Sequence, residues 1–184
     1  MVLDDENWGS LTPKANSPIS AMASSLRQYH TLGVPPEKLV VALPWYGTSW
    51  PCADPTLGAP CKTELGKRSW SEVVSQPQVS EMVARIGPQN TSAVRLDKAS
   101  MTKVFERKDA RSAPPSKSNQ RHVEMFDDAA TIAAKVAALG EAAAALGGKV
   151  RGVAMWYAEC LYGPPMMAAG ERAAMWAALA APEM

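Results

Sequence analysis

Leu39-Val40-Val41-Ala42-Leu43-Pro44-Trp45-Tyr46-Gly47 decides how this chain folds. From Leu39 to Trp45 the run is continuously apolar, too short for a helix and bounded by Pro and Gly. Such a run reads as a strand buried on both faces. Strands of that kind belong to parallel sheets whose faces are covered by helices, so helices are expected on either side in sequence.

Upstream, Ser17-Pro18 reads as the N-cap and first position of a helix running to about Thr31, ended by Gly33 and Pro35-Pro36. Ile19, Met22, Ala23, Leu26 and Tyr29 keep helical spacing on one face. Downstream, residues 47–67 read as loop. Ser69 and Glu72 form a capping box for a helix carrying Val73 and Val74, interrupted at Gln76-Pro77.

Residues 92–108 alternate loosely and predict a short antiparallel hairpin. A Pro/Ser/Lys-rich connection at 113–120 leads to a strand over 122–126. Asp127-Asp128 then caps a helix over 129–146 that Gly147-Gly148 ends. A second buried strand is expected over 150–156. The last element is an amphipathic helix over 168–180 with Met175, Trp176 and Leu179 inside. Apolar strands alternating with helices give an α/β fold with a parallel sheet and helical crossovers.

The chain has 184 residues, 19 Lys+Arg against 18 Asp+Glu, net charge +1 and 47% hydrophobic residues. No excess of positive charge exists to neutralise phosphates, so neither nucleic acid nor an anionic membrane is expected as a partner. The longest alanine-rich stretch is broken by Lys135, Glu141 and Lys149, so no segment reads as a bilayer span. Residues 1–20 carry Asp4, Asp5 and Glu6 without an apolar core, and do not read as a signal peptide. The length suits one domain, 1–184, but falls short of the roughly 250 residues of a complete eight-stranded α/β barrel.

Cys52 and Cys61 flank a Pro/Gly loop that could bring them together. A bridge there would stabilise by about 2–3 kcal/mol, and two reduced loop thiols are an equal alternative. Cys160 is left over. Neither a second close cysteine pair nor a histidine cluster exists, so no metal or cofactor site is expected. Asn90-Thr91-Ser92 is an N-glycosylation sequon.

Two strands end in aromatic residues, Trp45-Tyr46 and Trp156-Tyr157. The C-terminal ends of parallel strands are where such sheets bind ligands. A flat indole there offers an apolar face to the C–H face of a pyranose ring. On spacing alone, burial of these rings in the core is the commoner outcome.

The combined pattern adds more. The stretch 39–47 resembles the seventh-strand motif of the family 18 glycoside hydrolases, the chitinase family. Phe126-Asp127-Asp128 with the helix after it is similar to the stretch following that family's insertion. Arg151-Gly152-Val153-Ala154-Met155-Trp156 is similar to its eighth strand. Pro-Trp-Tyr-Gly followed by Cys52, then Gly58-Ala59-Pro60-Cys61, then Met155-Trp156 leading to Cys160-Leu161, resembles the di-N-acetylchitobiase subfamily.

The resemblance implies the C-terminal portion of a (β/α)8 TIM barrel, about strands six to eight, with a small α+β insertion at about 68–122. It also implies a substrate-assisted glycosidase acting on β-1,4 N-acetylglucosamine linkages in chitooligosaccharides or N-glycan cores. A lysosomal or secreted home follows from the same resemblance. Met1-Val2-Leu3-Asp4 looks like the family's Met-x-Tyr-Asp motif, with Leu3 where the family has Tyr. Asp4, Trp45, Tyr46 and Trp156 are thereby implied to bind substrate. Tyr157 and Glu159 replace residues that are Asn in chitobiases.

The family's Asp-x-x-Asp-x-Asp-x-Glu run, whose Glu is the general acid, does not occur in these 184 residues, so no catalytic residue is assigned. General acid catalysis is typically worth 10²–10⁴-fold, and a chain without it is expected to be inactive alone. Three strands of an eight-stranded barrel leave open edges, so this chain is expected to be either part of a longer protein or sticky by itself. Asp127 and Glu159 as a substitute acid pair is the less favoured reading, against a helix cap and an exposed loop acid. His30 and His122 read as solvated. A different class of function, a non-catalytic chitooligosaccharide-binding protein, uses the same aromatic residues.

Overall fold

The computed structural model describes residues 12–52, 75–87, 93–108 and 121–180. Helix α1 (Ile19–Thr31) begins one residue later than Ser17-Pro18 suggested. Pro18 is the extended N-cap and makes no side-chain cap bond. The helix ends where Leu32 N–H bonds to the Gln28 carbonyl and Gly33 turns left-handed at φ 83°. Met22 and Leu26 are buried, whereas Tyr29, expected on the same face, is exposed.

Strand β1 (Val40–Pro44) is the decisive run, buried from Val41 onward. It pairs in parallel with β6 (Gly152–Trp156), with Val40 opposite Gly152 and Pro44 opposite Trp156. Val41 and Leu43 meet Met22 and Leu26 of α1 and Ile132, Val136 and Leu139 of α3 (Ala129–Ala144) in one core cluster. Helices α1 and α3 also pack on each other. Strand β6 is half-buried along its whole length, not fully buried as expected, since among the described residues it pairs with β1 alone.

Between these elements lies a four-stranded antiparallel sheet in the order β2-β5-β4-β3. Its strands are β2 (Thr48–Pro51), β3 (Arg95–Asp97), β4 (Thr102–Lys108) and β5 (Arg121–Phe126). Helix α2 (Val79–Ile86) packs against β5. The expected hairpin is β3–β4, its turn closed by Met101 at φ 55°.

Strand β2 corrects the loop reading of residues 47–67. Thr48, Ser49 and Trp50 are all buried and pair with Met125, Glu124 and Val123. Four residues ending in Pro carry too little alternation to show a strand by period. A second core beneath this sheet holds Ala15, Trp50, Cys52, Val104, Val123 and Met125. The chain therefore leaves the parallel sheet almost at once after β1 and returns through β5 into α3.

Asp128 caps α3 in a capping box: its carboxylate accepts from Thr131 N–H and Thr131 Oγ1 accepts from Asp128 N–H, both at 2.9 Å. Asp127 takes no part in the cap. Helix α4 (Ala169–Ala177) buries Met175, but Trp176 on the same turn stays 39% exposed, contrary to its expected inward position. The helix is short and covers the core by a narrow stripe. The capping box expected at Ser69 and Glu72 lies outside the described residues.

Candidate functional site

The C-terminal ends of β1 and β6 are joined past their last ladder pair: Trp45 N–H donates to the Trp156 carbonyl at 3.1 Å. Two other segments hold the strip after β1. Val79 N–H donates to the Trp45 carbonyl, Gly47 N–H to the Pro77 carbonyl at 2.9 Å, and Asn16 Nδ2 to the Tyr46 carbonyl at 3.4 Å. Gly47 is required by close approach. A Cβ there would strike the Met82 thioether and lie 2.5 Å from the Met125 carbonyl oxygen.

The two aromatics of this strip are both buried but meet different neighbours. Trp45, 1% exposed, enters the core and packs edge-on against Trp176, ring centroids 4.8 Å apart at 81°. Tyr46, buried in the same core cluster as Trp45, places its ring 5.8 Å from that of Tyr157 at 59°. Trp156 is half-buried and lies 5.2 Å from Tyr157 at 58°. Tyr46, Tyr157 and Trp156 thus form an aromatic corner, while Trp45 supports it from the core side. In the sequence Tyr157 reads as a strand-end aromatic and as a replacement for Asn. Its left-handed backbone carries no local sequence signal.

Of the other site residues, Asp4, Cys61 and Asn90 lie outside the described residues. Cys52 is buried in the second core. Cys160 is the free cysteine among the described residues. Its thiol is pushed up from 9.0 to about 11, first by burial and then by the negative charges of Glu159 and Glu81. Glu159 sits exposed on the short 3-10 turn Ala158–Leu161 directly after Tyr157.

Asp127 is far from being an acid beside Glu159. It is buried and ion-paired, its Oδ2 2.6 Å from Lys135 Nζ, which also donates to Thr102 Oγ1 at 3.1 Å. His30 is exposed at the end of α1. His122 differs from its solvated reading: its Nδ1 lies 3.2 Å from Ser49 Oγ in a partly buried position.

Beside His122 is a cluster the sequence reading missed. Glu124, fully buried, accepts from Arg107 Nε at 2.5 Å, Arg85 Nη1 at 3.2 Å and Ser49 Oγ at 3.1 Å. A separate cavity of about 790 Å³ lies among α2, the β5–α3 junction and α4, walled by Val83, Phe126, Met167 and Met175. None of the corner aromatics lines it. Among the described residues no three His, Cys, Asp or Glu side chains gather as a metal site. No helix there is long and apolar enough to cross a membrane.

Chemically, the open part of the corner, Trp156 and Tyr157, offers apolar ring faces and a phenol at the mouth of two parallel strands. That suits a ligand with both C–H faces and hydroxyl groups.

No model of a known protein family matches the chain. It is 25% identical to mouse di-N-acetylchitobiase over 185 residues, covering 94% of this chain and 44% of the mouse protein. The chain therefore spans less than half the length of that relative. Its fold matches a glycoside hydrolase family 18 N-acetylglucosaminidase from Paenibacillus barengoltzii with a TM-score of 0.62, at 16% identity, over 97% of this chain and 46% of that one. It also matches a chitinase from Chromobacterium violaceum with a TM-score of 0.61, at 19% identity, over 98% of this chain and 45% of the other. The chain is thus similar in sequence to di-N-acetylchitobiases and in fold to chitinases and a family 18 N-acetylglucosaminidase.

Proposed function

We propose that this chain is the carbohydrate-binding C-terminal portion of a chitobiase-like glycosidase barrel, about strands six to eight, with its α+β insertion near residues 68–122. The ligand is a chitooligosaccharide or another N-acetylglucosamine-containing glycan. The observation that carries this is the aromatic corner of Tyr46, Tyr157 and Trp156 at the joined ends of β1 and β6. Trp156 floors the subsite. Tyr46 walls it, Trp45 holds the wall from below, and Asp4 orients the substrate's acetamido group.

Hydrolysis belongs to the complete barrel, because the Asp-x-x-Asp-x-Asp-x-Glu acid is not within these 184 residues. Such a protein works in a lysosomal or secreted setting. A Cys52–Cys61 bridge and a glycan on Asn90 suit that setting.

The test is titration of the chain with chitotriose by calorimetry, alongside incubation with a fluorogenic chitobioside. Saturable binding that disappears in Trp156→Ala, with no turnover, is the expected result. Absence of binding sinks the carbohydrate reading. Turnover abolished by Asp4→Ala or Glu159→Gln sinks the assignment of the acid to the missing part.

The second reading is a non-catalytic chitooligosaccharide-binding protein, favoured by an aromatic corner in a sequence of 184 residues that carries no Asp-x-x-Asp-x-Asp-x-Glu run. Coding sequence upstream of Met1 separates the two. An in-frame Asp-x-x-Asp-x-Asp-x-Glu supports the glycosidase, and a stop codon or a lost Glu supports the binding protein.

A further inference from the structure

Tyr157 stands at φ 64° and ψ 64°, a left-handed conformation that a bulky aromatic residue adopts at a cost and keeps only where its surroundings hold it. Had β6 continued extended, successive side chains would point to opposite faces, and the Tyr157 ring would turn away from Trp156. The left-handed turn brings it back. Its ring lies 5.2 Å from that of Trp156 and 5.8 Å from that of Tyr46, and the residue is still 50% exposed. It belongs to neither buried cluster, although its ring rests on Tyr46 of the main core. Its main-chain carbonyl accepts from Cys160 N–H at 3.0 Å, a bond that any side chain would allow.

The angle between the rings is informative. Trp156 and Tyr157 meet at 58°, so one flat pyranose cannot lie against both faces. Two consecutive units of a bent chain can.

We propose that Tyr157 is a second stacking surface, taking the sugar unit next to the one over Trp156, so that this chain selects oligosaccharides over single sugars. The inference rests on the carbohydrate reading of the same corner and adds a residue and a length preference to it. The left-handed backbone is what places the second surface at an angle to the first.

The experiment is calorimetric titration of N-acetylglucosamine and chitotriose into the wild-type chain, Tyr157→Gly, Tyr157→Phe and Trp156→Ala. Tyr157→Gly is expected to lower chitotriose affinity roughly tenfold while changing N-acetylglucosamine affinity by less than about twofold. Tyr157→Phe keeps the ring and is expected to keep the preference. The melting temperature of Tyr157→Gly stays level or rises, since Gly adopts the left-handed conformation freely.

Equal binding of both sugars by wild type and Tyr157→Gly overturns the proposal, as does loss of both in the same proportion. If Trp156→Ala loses binding and Tyr157→Gly does not, the carbohydrate reading stands and this inference falls. If the wild-type chain binds neither sugar, both fall.

Discussion

Trp45 and Trp156 are bonded through their main chains, N–H to carbonyl at 3.1 Å, yet their side chains do opposite things. Trp45 is sealed in the core against Trp176, while Trp156 is half-open beside Tyr157. One hydrogen bond therefore joins a packing residue to a half-open one.

This division predicts two different mutant signatures. Trp45→Ala removes a large, fully buried side chain and is expected to cost about 3–5 kcal/mol of stability. Trp156→Ala is expected to abolish chitotriose binding with a clearly smaller loss of stability. Urea unfolding followed by calorimetry on the folded fraction separates the two. Equal stability losses, or retained binding in Trp156→Ala, would contradict the division of labour.

How much of this was legible beforehand follows the physics of each signal. The run 39–45 and the cap at Asp128 are local, and both appear where the residues place them. Strand β2 is held by its ladder with β5, some 75 residues away in sequence for the Ser49–Glu124 pair, and four residues cannot announce such a partner. The aromatic residues at the strand ends were visible as a group. Which of them is open depends on the neighbours each one meets and on the left-handed turn at Tyr157, and neither is readable from residue type. Trp176 was placed inside by helical period, but a short helix at the edge covers less than its period suggests.

The buried Lys135–Asp127 pair joins α3 to the end of β5, and through Thr102 to β4. Removing one partner leaves a charge stranded in the interior. Lys135→Ala is expected to lower stability by about 3–5 kcal/mol. The double variant Asp127→Leu with Lys135→Met removes both charges and is expected to recover most of that loss. Urea midpoints for the two variants decide the matter, and a double variant no better than the single one would show that the pair is not the source.

Glu124 is the hub of its cluster, and its partners are unequal. Arg107 donates at 2.5 Å, Arg85 at 3.2 Å, and Arg85 is one-third exposed while sharing itself with Glu81. Glu124→Ala removes the carboxylate shared by Arg107, Arg85 and Ser49, and a loss of about 1–3 kcal/mol is expected. Arg85→Ala is expected to cost under about 1 kcal/mol, in the range of exposed pairs, because Arg107 still holds the carboxylate. Thermal unfolding of both variants gives the comparison. Similar losses from the two would mean that Arg85, not Arg107, supplies the main neutralising charge.

Cys160 links stability to pH. Burial first, and then Glu159 and Glu81, raise its thiol from 9.0 to about 11 in the folded chain. Below about pH 9 the thiol is protonated in both folded and unfolded states, and it contributes no slope. Between about 9 and 11 the unfolded chain gives up this proton and the folded one keeps it, so stability falls as pH rises. Cys160→Ala is expected to flatten that part of the curve, measured by urea unfolding at successive pH values. The same burial predicts slow alkylation by iodoacetamide at pH 8, because the thiolate is the nucleophile, with fast reaction once urea unfolds the chain. Rapid modification of Cys160 in the folded chain, or an unchanged alkaline slope in Cys160→Ala, would show that this thiol is not held protonated by the core.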